Sequence, residues 1–225
     1  KRRYNGYMSV ALLQTKLNLP QLRPSLVPRQ RLVDKLNDGL ETENGTFNRK
    51  LTLVSAPAGF GKTTLVADWL TEENLLTRSP PHPYTRSQIA WVSLDEGDND
   101  PTLFWAYVIA ALQKVYPEVG DDALKLLQIA QSPPITAILT DLLNELAELE
   151  ASTILVLDDY HTVESQPIHE GLAFVLDNQP YHLHLALVSR ADPVLPLARL
   201  RARGELLEVR EADLRFTLEE ATLFL

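Results

Sequence analysis

The sequence predicts an α/β fold, a three-layer sandwich in which a parallel five-stranded sheet carries helices on both faces. The 225 residues suffice for one sizeable core. The strand candidates are short apolar runs, typical of parallel strands that are buried on both faces. They alternate with segments of helical period, an order that favours strand-helix-strand units. The predicted strands cover residues 51–54, 89–94, 153–157, 185–188 and 205–209.

A glycine-rich turn joins the first predicted strand to a helix-prone run at 65–70. It reads Ala-Pro-Ala-Gly-Phe-Gly-Lys-Thr-Thr over residues 56–64. Gly59 and Gly61 lack a Cβ, so we expect positive φ there and several backbone N–H groups directed at a phosphate chain. A strand, such a turn and a helix form a P-loop, whose default ligand is a nucleoside triphosphate. A chance Gly-Lys-Thr in an ordinary turn is the alternative, and the flanking elements argue against it.

The residues of this turn have distinct expected roles. Lys62 should reach the β- and γ-phosphates as a point charge, and the Thr63 hydroxyl is placed to ligate Mg2+. Thr64 is expected to face the α-phosphate. The first glycine of the common G-x-x-x-x-G-K-T pattern is Ala56 here, which is tolerable if its φ is negative. The predicted nucleotide-binding residues of the loop are Ala58, Gly59, Phe60, Gly61, Lys62, Thr63 and Thr64.

A second apolar strand ends abruptly in two carboxylates, as a Walker B strand does. Asp158 is expected to hold Mg2+, directly or through water. Asp159 is the candidate for orienting or deprotonating the attacking water. Apolar strands often end in acidic turns without such a role, but the P-loop upstream favours the functional interpretation.

The strand at 185–188 also ends in polar residues, Ser189 and Arg190. Arg190 could approach the γ-phosphate from a strand beside the P-loop, which makes it a candidate sensor. A charge-assisted contact made with ATP and not with ADP contributes about 1.5–3 kcal/mol, enough to shift a two-state equilibrium. A solvated arginine at a strand end is the alternative. With Lys62 and Asp159, Arg190 completes the predicted catalytic set.

Composition excludes several classes of site. Thirty acidic and 21 basic residues give a net charge of −9, which disfavours nucleic-acid binding by this chain. The absence of cysteine excludes disulfides and thiolate zinc sites. The five histidines, at 82, 161, 169, 182 and 184, have no metal-ligand spacing, so we interpret them as surface residues and expect no metal other than Mg2+. No signal peptide or bilayer-length apolar run is evident, and a cytoplasmic location is expected.

Two further charged stretches have a structural and a functional interpretation. Residues 95–101 are acidic, but they lack the glycine and glutamate of an EF-hand, so we predict helix capping by Asp100 with Pro101 at the first helical position rather than a calcium loop. Arg199, Arg201 and Arg203 could bind nucleic acid or supply an arginine finger, but the pattern favours a solvated helix face.

The two ends of the chain are expected to lie outside the nucleotide-binding domain. Residues 1–11 show no period and are interpreted as an extension, and residues 12–216 as the domain itself. A capping box at Thr217 and Glu220 opens a helix, so residues 217–225 are predicted to begin a helical or winged-helix lid.

Several blocks in the same order resemble the ATPase domain of the large MalT-like transcriptional activators of the LuxR type, which belong to the STAND class of P-loop switches. The resemblance runs from about Leu12 to the end, through residues 26–29, 56–64, 93–96, 98–101, 157–161, 189–193 and 197–204. It implies that Ala56 is usual, that Arg29 lies near the nucleotide and that Arg190 reads the γ-phosphate. It also implies a lid, an inducer sensor and a DNA-binding helix-turn-helix elsewhere in such proteins.

These observations together predict an ATP/ADP-controlled switch with Mg2+, in which ATP holds an assembly-competent state and slow hydrolysis resets it. The expected partners are the nucleotide and, in a full-length protein with ATP, further copies of itself; DNA would be bound only through other modules, and no membrane is involved. A small-molecule P-loop kinase and a non-hydrolysing nucleotide-binding scaffold are the alternatives.

Overall fold

The computed structural model describes residues 11–40, 46–71, 87–129 and 132–224 of the chain. Two sequence predictions fall wholly or mainly outside these ranges: the N-terminal extension and the surface position of His82. Within the described residues no helix combines the length and hydropathy that a bilayer-spanning segment requires.

A parallel five-stranded sheet forms the centre of the fold, as predicted. In chain order its strands are β1 (Leu51–Ser55), β2 (Gln88–Ser93), β3 (Thr153–Asp158), β4 (Leu183–Ser189) and β5 (Leu206–Arg210). Their order in the sheet is β2-β3-β4-β1-β5. Every residue of β1, β3 and β4 is buried, which explains why these strands have no polar alternation.

Helices cover both faces of the sheet. They are α1 (Gln30–Asp38), α2 (Lys62–Trp69), α3 (Pro101–Gln113), α4 (Asp121–Leu127), α5 (Ile135–Ala147), α6 (Gln166–Asn178), α7 (Leu197–Ala202), α8 (Glu211–Leu214) and α9 (Leu218–Phe224). Short 3-10 helices lie at Gln14–Leu17, Glu96–Asn99 and Tyr160–Thr162. As predicted, Asp100 caps α3: its side chain accepts a hydrogen bond from the Leu103 amide at 2.8 Å.

Alternating strand residues divide the apolar core into two layers. Leu155 and Leu157 of β3 face the layer formed with α3, α5 and α6. Ile154 and Val156 face the opposite layer, which α1 and α2 complete. The three-layer sandwich predicted from the sequence is therefore confirmed.

The prediction that the histidines lie at the surface is wrong for two of them, and a third is only partly exposed. His184 is fully buried in β4, where its Nε2 contacts the Thr52 hydroxyl at 2.9 Å. His169 is buried and contacts the Tyr160 hydroxyl through Nδ1 at 2.8 Å. His161 is only 17% exposed. Each histidine lies in or next to a regular element whose burial the short-range sequence pattern does not reveal.

The segment before α1 is attached to the turn after β2 by a buried ion pair. Lys16 lies 2.7 Å from one carboxylate oxygen of Asp98 and 2.9 Å from the other, and 2.7 Å from Asp95. The Asp98 carboxylate is 1% exposed and also accepts the Asp95 amide. The acidic turn therefore uses its carboxylates for capping and for Lys16, in agreement with the capping prediction.

The charged stretch on α7 is a solvated face with ion pairs. Arg199 pairs with Asp177, and Arg201 pairs with Glu208 of β5 at 2.8 Å. Arg210 joins Glu208 to Asp192 in the turn after β4. These arginines hold helix, strand and turn together.

Replacing Lys16 with methionine should reduce the free energy of unfolding by about 3 kcal/mol, because the buried Asp98 carboxylate loses its cation. Urea unfolding followed by circular dichroism measures this. The matched control is Lys125→Met, which removes an ion pair with Asp122 whose side chains are 62% and 80% exposed; its cost should stay below about 1 kcal/mol. Equal stabilities for the two variants would contradict a structural role for the buried pair.

Candidate nucleotide-binding site

The turn between β1 and α2 has the backbone predicted for a P-loop. Gly59 and Gly61 have φ of 86° and 73°, and a Cβ built on either would meet nothing within 4 Å. The inner side of the turn is therefore open to a ligand. Among described residues other than glycine, Asp159 alone has positive φ, so Ala56 adopts the negative φ that its methyl group requires.

The Lys62 ammonium lies over this turn and donates a hydrogen bond to the Pro57 carbonyl at 2.9 Å. Burial lowers the pKa of Lys62; the nearby Arg190 lowers it further, while Asp159 and Asp158 act in the opposite direction. A partly desolvated cation beside an open, amide-lined turn is suited to an anion.

Thr63, at the start of α2, contacts Asp158, at the carboxyl end of β3. The Thr63 hydroxyl donates to Asp158 Oδ1 at 2.9 Å, and the Asp159 amide donates to the same oxygen at 3.0 Å. Burial raises the pKa of Asp158 to about 6, an effect that Asp159 increases and the Thr63 hydrogen bond opposes. A buried carboxylate next to a hydroxyl is the hard-oxygen donor set that Mg2+ prefers. The two residues predicted as metal ligands therefore fit that ion.

Asp159 lies one residue beyond the strand, in the left-handed region with φ of 55°. Its side chain is 45% exposed and its Oδ1 lies 3.7 Å from His161 Nδ1. His161 was not among the predicted site residues, yet burial together with Arg190 and Lys62 lowers its pKa. The sequence signal that could have identified it is its place in the turn directly after the two aspartates.

Arg190 emerges from the end of β4, the strand that pairs with both β1 and β3. Its side chain is exposed, and it is close enough to influence the pKa of Lys62 and of His161. The structure thus brings together Lys62, Thr63, Asp158, Asp159 and Arg190 at one edge of the sheet.

A cavity of about 820 Å³ adjoins the P-loop. Its walls come from three parts of the chain: residues 20–29 before and at the start of α1, the P-loop with the first turns of α2, and residues 214–216. The predicted nucleotide-binding residues that line it are Arg29, Ala58, Gly59, Phe60, Gly61, Thr63 and Thr64. Its volume is within the range of small-molecule sites.

Arg29 forms part of this wall and is itself buried. Its guanidinium donates to the carbonyl oxygens of Leu214 at 2.6 Å and Arg215 at 3.3 Å, and it lies 4.8 Å from the centre of the Phe216 ring. Its Nε is buried without a hydrogen-bond partner. Burial lowers the pKa of Arg29, although the nearby Glu220 raises it.

Comparison with known proteins agrees with this geometry. The chain is 36% identical over 213 residues to the HTH-type transcriptional regulator MalT of Cronobacter sakazakii and of Yersinia enterocolitica, and 39% identical to that of Serratia proteamaculans. In each case the match covers 95% of this chain and 21% of the relative, so the chain spans about a fifth of the length of these regulators. No protein-family model matches the chain.

Two solved structures share its fold. Cdc6p from Pyrobaculum aerophilum superimposes with a TM-score of 0.53 at 15% identity, over 84% of this chain and 47% of that one. A chain of Drosophila ORC bound to DNA gives a TM-score of 0.52 at 12% identity, over 92% of this chain and 47% of its own. With the P-loop, the sheet order and the MalT similarity combined, the chain is a MalT-like domain with the fold of the P-loop NTPases.

Proposed function

We propose that this domain binds ATP and ADP with Mg2+, hydrolyses ATP slowly and acts as the nucleotide switch of a signal-responsive transcriptional activator. The observation that carries the proposal is the hydrogen bond between Thr63 of the P-loop and Asp158 at the end of β3. A threonine hydroxyl and a buried carboxylate at this spacing, next to Lys62, form a place for a metal-bound phosphate chain rather than a structural contact alone.

We assign the parts of the nucleotide to two regions of the site. The apolar cavity beside Arg29 and Phe60 suits the base and ribose. The amides of the P-loop and Lys62 hold the phosphates, and Thr63 with Asp158 holds Mg2+, which when bound withdraws charge from the phosphate oxygens. Asp159 orients or deprotonates the attacking water, and Arg190 distinguishes ATP from ADP by contacting the γ-phosphate.

The switch function rests on the contact between the cavity and the end of the described chain. Arg29 contacts Leu214, Arg215 and Phe216, and with Arg31 it lies near Glu220 of α9, at 3.8 Å and 2.9 Å respectively. A nucleotide in the cavity would touch the same wall. The division into an extension (1–11), a P-loop domain (12–216) and the beginning of a lid (217–225) belongs to this proposal.

An ATPase switch is favoured over a small-molecule kinase. A kinase requires a mobile arginine-bearing lid over an acceptor site, and the arginines of α7 that could supply it are engaged with Asp177 and Glu208. For the full-length protein we also propose self-association in the ATP state. DNA binding through other modules is proposed by analogy with the MalT relatives, whose name describes an HTH-type transcriptional regulator.

Lys62→Ala should weaken ATP binding at least about a hundredfold, because the phosphates lose a desolvated cation. Isothermal titration calorimetry with Mg2+ and ATP measures the affinity. Lys125→Ala removes an exposed lysine outside the site and is the control, with unchanged affinity expected. Equal affinities for the Lys62 variant and the unmodified protein would refute phosphate binding at this loop.

Asp159→Ala should leave the ATP affinity within about threefold and slow hydrolysis about a hundredfold, as expected when a residue acts on the water and not on ground-state binding. Single-turnover release of labelled phosphate gives the rate. A variant that loses affinity and rate in proportion would instead make Asp159 a binding residue.

Asp158 should make the stability of the metal-free protein depend on pH. Because its pKa in the fold is about 6 and its ordinary value is 3.8, the folded state holds the proton more tightly than the unfolded state. The contribution is fully present below pH 4 and is lost as pH rises towards 6, up to about 3 kcal/mol. Urea unfolding across this range measures it in EDTA. Asp158→Asn should flatten the profile, and an unchanged slope would contradict the assignment.

A further inference from the structure

The side chain of Asn99 joins the turn after β2 to the turn after β3. Asn99 belongs to the first of these turns, and the second begins with Asp159. Its Nδ2 donates to the Thr162 carbonyl at 2.8 Å. Its Oδ1 accepts the amide of Glu164 at 2.7 Å and that of Ser165 at 3.1 Å. One side chain therefore holds the second turn at three points of its backbone.

A carboxamide suits both halves of this set of partners. A carbonyl oxygen accepts and a backbone amide donates, so Nδ2 must face Thr162 and Oδ1 must face Glu164. Nδ2 also donates to the Glu96 carbonyl of its own turn at 3.1 Å. An aspartate in place of Asn99 would keep the accepted hydrogen bonds and lose both donated ones. The partners therefore fix the orientation of the amide and require its donor half as well as its acceptor half.

The turn that carries Asn99 is itself anchored. The Asp95 side chain caps the 3-10 helix Glu96–Asn99, and the buried Asp98 carboxylate accepts the Asp95 amide at 2.8 Å. The Lys16 ammonium lies 2.7 Å from each of these two carboxylates. Asn99 thus extends from a support that capping and a buried ion pair hold in place.

Asp159 has a backbone conformation that its neighbours must maintain. Its φ of 55° is in the left-handed region, which is unfavourable for a residue with a Cβ and persists where surrounding contacts impose it. The Thr162 amide and the Thr162 hydroxyl both donate to the Asp159 carbonyl, each at 3.0 Å. Because Asn99 holds the Thr162 carbonyl, a chain of hydrogen bonds runs from the turn after β2 to the backbone of Asp159.

We propose that Asn99 is a positioning residue for Asp159: by holding Thr162 it maintains the left-handed backbone of Asp159, and so the place of the Asp159 carboxylate relative to the attacking water. The inference rests on the proposed function, since it assigns Asn99 to the hydrolysis step. A purely structural role is the competing explanation. It would lower stability and ATP affinity together with the rate, whereas positioning affects the rate alone.

The first test is a set of variants assayed for ATP affinity, single-turnover hydrolysis and urea unfolding. Asn99→Ala should slow hydrolysis about tenfold and change the affinity by less than about twofold. Asn99→Asp has nearly the same volume but cannot donate to Thr162, so its hydrolysis should be as slow. The matched control is Asn178→Ala, with an unchanged rate expected, because Asn178 is exposed at the far end of α6 and donates to the Phe174 carbonyl. A full rate in either folded Asn99 variant would overturn the proposal, as would an affinity that falls as much as the rate.

A double-mutant cycle shows whether Asn99 acts through Asp159. If it does, the protein with both Asn99→Ala and Asp159→Ala should hydrolyse ATP no more slowly than the Asp159→Ala variant alone. Rate losses that multiply would mean that Asn99 affects the site by another route, and they would overturn the proposal.

The second test needs neither ATP nor turnover. Positive φ brings the amide and α protons of one residue close together, so NMR of the nucleotide-free protein should show a strong nuclear Overhauser effect between these protons of Asp159. Asn99→Ala should weaken this signal, and Asn178→Ala should leave it unchanged. An unaltered signal in folded Asn99→Ala protein would refute the proposal. If the unmodified protein fails to bind or hydrolyse ATP, the proposed function fails, and this measurement still decides whether Asn99 maintains the Asp159 backbone.

Discussion

The insertion of β4 between β1 and β3 is the constraint on which the site depends. Parallel pairing aligns Ser55 with Ser189, and Leu157 with Leu187 two residues before β4 ends. Because neighbouring strands lie about 4.8 Å apart, the turns that follow β1, β3 and β4 leave the sheet within about 10 Å of one another. The lysine and threonine after the first, the aspartates after the second and the arginine after the third are therefore neighbours, although Lys62 and Arg190 are more than a hundred positions apart in the sequence.

The chemistry of the site follows from burying a carboxylate at this edge. Removing Asp158 from water disfavours its charge, and the Thr63 hydroxyl and the Asp159 amide offset that cost in part. A divalent cation bound to Asp158 would offset the rest of the desolvation free energy. Because the fold itself holds this carboxylate beside an amide-lined turn, the site is largely preorganised before a ligand binds.

The fold was predictable because its signals are local and repeated. Continuous apolar runs, a glycine turn and helix caps each constrain a few residues, and together they determine the sheet, its two faces and the P-loop. The contact between Thr63 and Asp158 was predictable for the same reason, because the P-loop and the strand that ends in aspartates are local motifs; their role as metal ligands stays a prediction. Ala56 also behaved as expected, since its backbone has no positive φ.

The features that the sequence did not reveal depend on tertiary neighbours. His161 acquires its environment from a 3-10 turn that Asn99 holds from another loop. Lys16 meets Asp98 across 82 positions, and Arg29 meets Leu214 across 185. No periodicity carries information over such separations. The exposure of the histidines was misjudged for that reason: their spacing matches no metal-ligand pattern, but it says nothing about burial.

The position of Arg29 has a consequence for how the two ends of the described chain communicate. Its guanidinium lies in the cavity wall and donates hydrogen bonds to main-chain oxygens near α9, while its Nε makes no hydrogen bond and lies 3.8 Å from the Glu220 carboxylate. A ligand in the cavity and a group that restrains residues 214–220 would therefore both act on the Arg29 side chain. Coupling of this kind is reciprocal. If displacing residues 214–220 from Arg29 changes the affinity for a cavity ligand by some factor, that ligand changes the equilibrium for displacing these residues by the same factor.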